Sequence, residues 1–327
     1  TGGTGGTGGT GGTGGTGGDV CELIEPAGES AAPAPCDAAT CDCGVSVQTV
    51  IGKVIDADGA PLQGAKAQVC VRSATDDGTV CLPPVDTTAD GSFSVSVPGD
   101  NTCMREAVMR AIVANEPYSS SYCTIHGSDL TATDGVLDLS GSPAVLYATT
   151  PLTNPPAADY DWDVVHTVAF EGVCVDGACT QPSPASACET DDDCARLEID
   201  VTPSLYFNSA LGIEPMAARW IEGVDHLCDS SAIDGAAGIW AISPEGDAFE
   251  TTFPARIPAG GLADGTAVNI FPEGGIGLTR MIGGEKEECG EGVWTHFACG
   301  TVEGGMVTLE GDDGLPGISA IAVVPAN

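Results

Sequence analysis

Residues 50–69 read VIGKVIDADGAPLQGAKAQV. The alternation that enters this stretch ends at Ile51, and the run Gly52 to Gly59 then leads into a turn. Pro61 and Gly64 bracket a second turn, after which Ala67, Val69 and Val71 alternate again. A period of two, punctuated by Asp, Gly and Pro, is the pattern of half-buried strands joined by tight connections. Upstream, Val45, Val47, Thr49 and Ile51 are expected on one face of the first strand. Downstream, Asp90-Gly91 makes a tight turn before Phe93, Val95 and Val97. Several short alternating strands of this kind predict a β-sandwich over residues 47–150.

Residues 103 to 114 read two ways. Met104, Val108, Met109 and Ile112 suit helical spacing, but the sandwich around them favours a strand. Val136 to Thr149 adds two short strands around Ser140-Gly141-Ser142-Pro143. The 50–69 stretch, with TTADGSFSVSVP at 87–98, resembles the carboxypeptidase regulatory-like domain, a prealbumin-like sandwich. That resemblance implies an accessory module with no catalytic residues of its own.

The chain has 327 residues, enough for two domains, with 10 Lys plus Arg against 47 Asp plus Glu and a net charge of -37. Such a balance excludes nucleic acid as a partner, because phosphate contacts need a basic surface. It also disfavours anionic membranes and fits an extracellular protein kept soluble by repulsion. Fifteen cysteines point to a disulfide framework in an oxidising compartment. The number is odd, so one Cys is free, bridges another chain or pairs outside this sequence. No apolar run is long enough for a transmembrane segment. The stretch opens mid-repeat without Met, and the expectation is an upstream segment.

Residues 19–46 form a connector in which Cys21, Cys36, Cys41 and Cys43 flank the Pro/Ala-rich run Pro26 to Pro35. Disulfides are the better reading than metal, since no zinc spacing is present. Within the sandwich, Cys70 with Cys81 and Cys103 with Cys123 flank turns or loops and are candidate local bridges. Residues 151–195 read as a Pro/Cys-rich linker or insert holding Cys174, Cys179, Cys188 and Cys194. It contains CVDGAC and CETDDDC. Asp191, Asp192 and Asp193 are adjacent, whereas a calcium loop needs alternating ligands and a turn Gly.

Residues 196–327 are a second β-rich domain. Leu197, Ile199 and Val201 alternate, and Ile239-Trp240-Ala241-Ile242 is a buried-strand candidate. Residues 253–275 read as strand, turn, strand, and residues 294–324 as a closing meander. Cys289 and Cys299 are candidates to bridge neighbouring strands, while Cys228 has no evident partner. The predicted class is therefore all-β, with two sandwich-like domains, disulfide-rich connectors and an extended N-terminal repeat. The Cys-rich insert looks like those of secreted bacterial proteins. Segments GLADGTAVNIF (261–271) and DGLPGIS (313–319) give the C-terminal part a likeness to secreted lipoproteins of myxobacteria-like bacteria. In that family a Thr-Gly-Gly tether follows the lipidated Cys, which implies a cell-surface location.

Residues 1–18 are that repeat, six copies of Thr-Gly-Gly running from Thr1, Gly2 and Gly3 through Thr4, Thr7, Thr10, Thr13 and Thr16 to Gly17 and Gly18. A period of three matches the extended polyproline II-type helix, roughly 56 Å long at about 3.1 Å per residue. All Thr side chains then share one edge, and the bare Gly edges admit another backbone closely. Fixing the repeat costs on the order of 18–36 kcal/mol, with almost no apolar surface to offset it. Its backbone groups also have no internal partners. An ordered repeat therefore needs neighbouring chains. The expectation is a homopolymer of identical subunits, packed head to tail through this segment.

No catalytic set is expected. His126, His166, His226 and His296 fall in no zinc spacing, and no nucleophile elbow or phosphate loop is present. His296 reads as a surface or edge-strand residue, and Asp225-His226 neighbours point apart on a strand. Trp162, Trp220, Trp240 and Trp294, with Tyr160 and Tyr206, suggest either a sugar-stacking platform or core, with core favoured. The chain reads as a non-enzyme without cofactor or metal. It is a filament or bundle protein, with a lipid-anchored adhesin that binds surface glycans as the alternative.

Overall fold

The computed structural model describes residues 40–41, 44–73, 79–113, 118–119, 121–125, 130–151, 164–202, 206–207, 217–222, 231–243, 246–248, 252–274, 279–282, 285–288, 293–310, 314–318 and 320–326. The first sandwich holds β1 (Val45–Ser46), β2 (Thr49–Asp56), β3 (Lys66–Ser73), β4 (Thr79–Cys81) and β5 (Val85–Asp86). It continues with β6 (Ser92–Ser96), β7 (Cys103–Ile112), β8 (Ser121–Ile125), β9 (Val136–Asp138) and β10 (Ala144–Leu146). One sheet runs β1-β7-β3-β4, with β8 on β7 and β5 on β3. The other runs β10-β2-β6, with β9 also on β2.

Residues 50–69 fold as their pattern predicts, with one correction. The buried face of β2 carries Val50, Gly52 and Val54, not Thr49 and Ile51. The chain changes sheets between β1, which pairs β7, and β2, which pairs β6. Alternation restarts at that crossing, so Val47 is buried while Thr49 and Ile51 are only half-buried. Gly52 stands opposite Phe93, whose ring lies 2.6 Å from where a Cβ would sit. At the Asp90-Gly91 turn, Gly91 has φ +76° and a Cβ there would meet Val54 O at 2.4 Å. The Asp90 carboxylate accepts from the Thr88 hydroxyl (2.6 Å) and the Ser92 hydroxyl (3.0 Å). Those bonds hold its carboxyl down at about 2. Residues 103–112 are strand, not helix.

The second sandwich begins with β11 (Thr150–Pro151), β12 (His166–Phe170), β13 (Cys174–Val175), β14 (Ala178–Cys179) and β15 (Leu197–Val201). Then come β16 (Tyr206–Phe207), β17 (Ala217–Ile221), β18 (Gly238–Ser243), β19 (Gly246–Ala248) and β20 (Ala255–Pro258). The last are β21 (Ala267–Pro272), β22 (Thr279–Ile282), β23 (Glu285–Glu288), β24 (Ala298–Thr301), β25 (Met306–Leu309), β26 (Gly317–Ile318) and β27 (Ile321–Pro325). A six-stranded sheet, β11-β17-β18-β27-β21-β24, faces a four-stranded one, β12-β15-β20-β25. Between them pack Phe170, Leu197, Ile199, Trp220, Trp240, Ile270 and Val323.

Two readings of this half differ from the structure, one of extent and one of topology. The region read as a linker supplies β12, an edge strand paired along its length with β15. The C-terminal stretch is not a simple meander. β24 joins β21 in one sheet, β25 joins β20 in the other, and β27 inserts between β18 and β21.

Disulfides clamp each sandwich. Cys70 and Cys81 stand opposite in the β3–β4 register and are bridged. Cys103 bonds Cys41 rather than Cys123. The reason is register: Cys103 opens β7 beside β1, whereas Cys123 stands opposite Met109, further along the same strand. The four cysteines of 174–194 interlace as Cys174–Cys188 and Cys179–Cys194. Opening Cys179–Cys194 with the double change C179S/C194S is expected to cost about 3 kcal/mol, for a closed loop of this length. A lower denaturant midpoint with unchanged β content checks it. No helix among the described residues is long and apolar enough to cross a membrane.

Candidate functional site

The six-stranded sheet is apolar on both faces. In β18, Trp240 and Ile242 enter the second sandwich's core while Ile239 and Ala241 point the other way. In β27, Ile321 and Val323 divide from Ala322 and Val324 in the same manner. The outer face packs on Val145 and Tyr147 of the first sandwich, with Ile55 and Ala57 at its margin. The two sandwiches thus share an apolar seam, and a small set of polar side chains lies within it.

Glu273 is the most unusual of these. It follows β21, in which Val268 and Ile270 face the core and Phe271 faces the seam. Two residues on, alternation places Glu273 on the seam side. Its backbone is fixed from two directions, by Glu273 N–H to Ala320 O (2.8 Å) and by its bridge to Trp294. Glu273 is 6% exposed. No hydrogen bond or ion pair to its carboxyl occurs among the described residues. Burial pushes that carboxyl up to about 8, so it is protonated at neutral pH.

Tyr147 approaches from the first sandwich. Burial pushes its hydroxyl up to about 12, with Arg219 opposing and Glu273 adding to the shift. The Arg219 guanidinium, half-buried, donates to Ala148 O (3.3 Å). Thr149 has a buried hydroxyl with no hydrogen-bond partner among the described residues. His296, expected at the surface, is 1% exposed and stacks on Phe271 with ring centroids 5.0 Å apart. That correction comes with its neighbours: the ring lies on Phe271, whose side chain belongs to the seam. His296 Nε2 lies 3.5 Å from Cys299 Sγ. Cys299 is disulfide-bonded, so its sulfur is neither thiolate nor nucleophile.

The other expected residues distribute as follows. The repeat (Thr1 to Gly18), Cys289, His126, His226, Trp162 and Tyr160 lie outside the described residues. Trp220, Trp240 and Trp294 are buried, which makes them core and seam rather than an open platform for sugars. The sulfurs of Cys179, Cys188 and Cys194 cluster closely, but all three are consumed in bridges. Asp191 accepts from the Cys174 N–H (2.7 Å), and Asp193 accepts from the Glu189 and Thr190 N–H groups (2.8 Å each). Both carboxylates close the cystine loop, and Asp193 is held below the usual range by those backbone bonds. Gln181 ties the same loop to β17 through Trp220 O (3.1 Å).

No family model and no curated protein matches the chain. Sequence reasoning singled out neither Glu273 nor the seam. The available signal was a lone acid in NIFPEGG, next to an apolar run, among 47 Asp plus Glu.

Proposed function

We propose that the chain is an extracellular structural protein, displayed on a surface or filament through its N-terminal Thr-Gly-Gly repeat. The observation that carries this reading is the sharing of one sheet by two hydrophobic layers. Because both faces of β18 and β27 are buried, the two sandwiches travel as one acidic, disulfide-clamped body. Such a body suits presentation, and the repeat beside it has the period and bare edges for packing with copies of itself. Heterologous packing of that kind propagates when its rotation does not close. The bridges and the strongly negative charge support secretion. The likeness to tethered lipoproteins supports an anchor upstream of the repeat.

Sedimentation of the full chain over a range of concentrations, beside a chain lacking residues 1–18, tests the proposal. Assembly that rises with concentration and is lost on deletion is expected. Equal assembly by the truncated chain would make the repeat a bystander.

A further inference from the structure

The seam buries a carboxyl that has no counter-charge among the described residues. Its surroundings are Phe271 on its own strand, Trp294 across the bridge, and Tyr147 from the opposite sandwich. We propose that Glu273 is a pH-dependent latch between the two sandwiches, its neutral carboxyl letting the faces close and its carboxylate driving them apart. The alternatives to opening are few. An ionised carboxylate in an apolar interior needs a cation, hydrogen-bond donors or water.

The titratable groups that face the seam supply little of this. Tyr147 stays neutral throughout the relevant range, with its hydroxyl held up near 12 by burial. Arg219 acts on Tyr147, and its guanidinium is bonded to Ala148 O. His296 is stacked on Phe271 with Nε2 against the Cys299 sulfur, and an imidazole gains no positive charge as pH rises. Rising pH therefore adds uncompensated negative charge to the seam. Among the described residues, no bridge with both cysteines placed crosses the seam. Cys41–Cys103 and Cys70–Cys81 lie in the first sandwich, Cys174–Cys188 and Cys179–Cys194 in the second. Across the seam, the described chain passes once, from β10 to β11. Opening wets Glu273, Trp294 and Tyr147 while each core stays closed.

The test uses the full chain with its bridges intact, at about pH 6 and about pH 9, which bracket the carboxyl's transition. Small-angle scattering reports overall dimensions, and acrylamide quenching reports tryptophan exposure. Expected at the higher pH are a larger maximum dimension and about twofold more quenching, with the far-ultraviolet signal of the sheets unchanged. Both changes should vanish in E273Q and in E273L, the second variant guarding against a local defect peculiar to the amide. Constant dimensions across the range would overturn the proposal. So would the same opening in both variants, or opening only together with loss of sheet signal.

Discussion

Replacing Trp240 with alanine is expected to destabilise the second sandwich by about 3–5 kcal/mol, the range for removing a large aromatic side chain from a packed core. Trp240 is fully buried and stands directly opposite Trp220 in the β17–β18 register. The rings meet edge to face at 5.6 Å, a geometry worth about 0.5–1.5 kcal/mol beyond burial alone. Its indole N–H has no hydrogen-bond partner among the described residues. The loss is thus one of packing, and Trp240→Phe should cost less, roughly 1–3 kcal/mol, because no bond is broken. Denaturant unfolding of the three proteins checks the order. Equal losses for Ala and Phe would mean that the indole's polar edge matters more than its volume.

Glu273→Gln should remove a pH dependence that the wild type possesses. The native carboxyl is held at about 8 by burial, against an ordinary value of 4.5. Below the ordinary value both folded and unfolded states hold the proton, and the residue adds no pH dependence. Between the two values only the native state holds it, so unfolding releases a proton and stability falls as pH rises. Above the upper value both states are ionised and the penalty is constant. The accumulated cost is at most on the order of 5 kcal/mol, at about 1.4 kcal/mol per unit, and it stops growing once the seam opens and the carboxylate is wetted. A buried amide brings its own desolvation cost at every pH. The informative quantity is therefore the difference in slope between the two proteins, read from unfolding curves at several pH values. Parallel curves would contradict the buried-carboxyl account.

Much of the fold was legible, for reasons visible in individual residues. Ala67, Val69 and Val71, and again Leu197, Ile199 and Val201, alternate because one side of each strand meets a core. The run from Ile239 to Ile242 lacks alternation because both its sides are covered. A run of that kind announces burial on two faces without saying what covers the second. Here the cover comes from Val145 and Tyr147, nearly a hundred residues earlier. The seam, and with it Glu273 and buried His296, was for that reason invisible to local patterns. Cysteine pairing failed by the same rule. Cys70 and Cys81 are neighbours across a turn and could be paired by eye. Cys103 finds Cys41 only because β1 returns to the start of β7.

Assembly through the repeat is visible by electron microscopy of native material. Fibres or bundles with globular bodies projecting at regular intervals are the predicted result, with bare bodies after removal of residues 1–18. Isolated, uniform particles at every concentration, with the repeat intact, would contradict it.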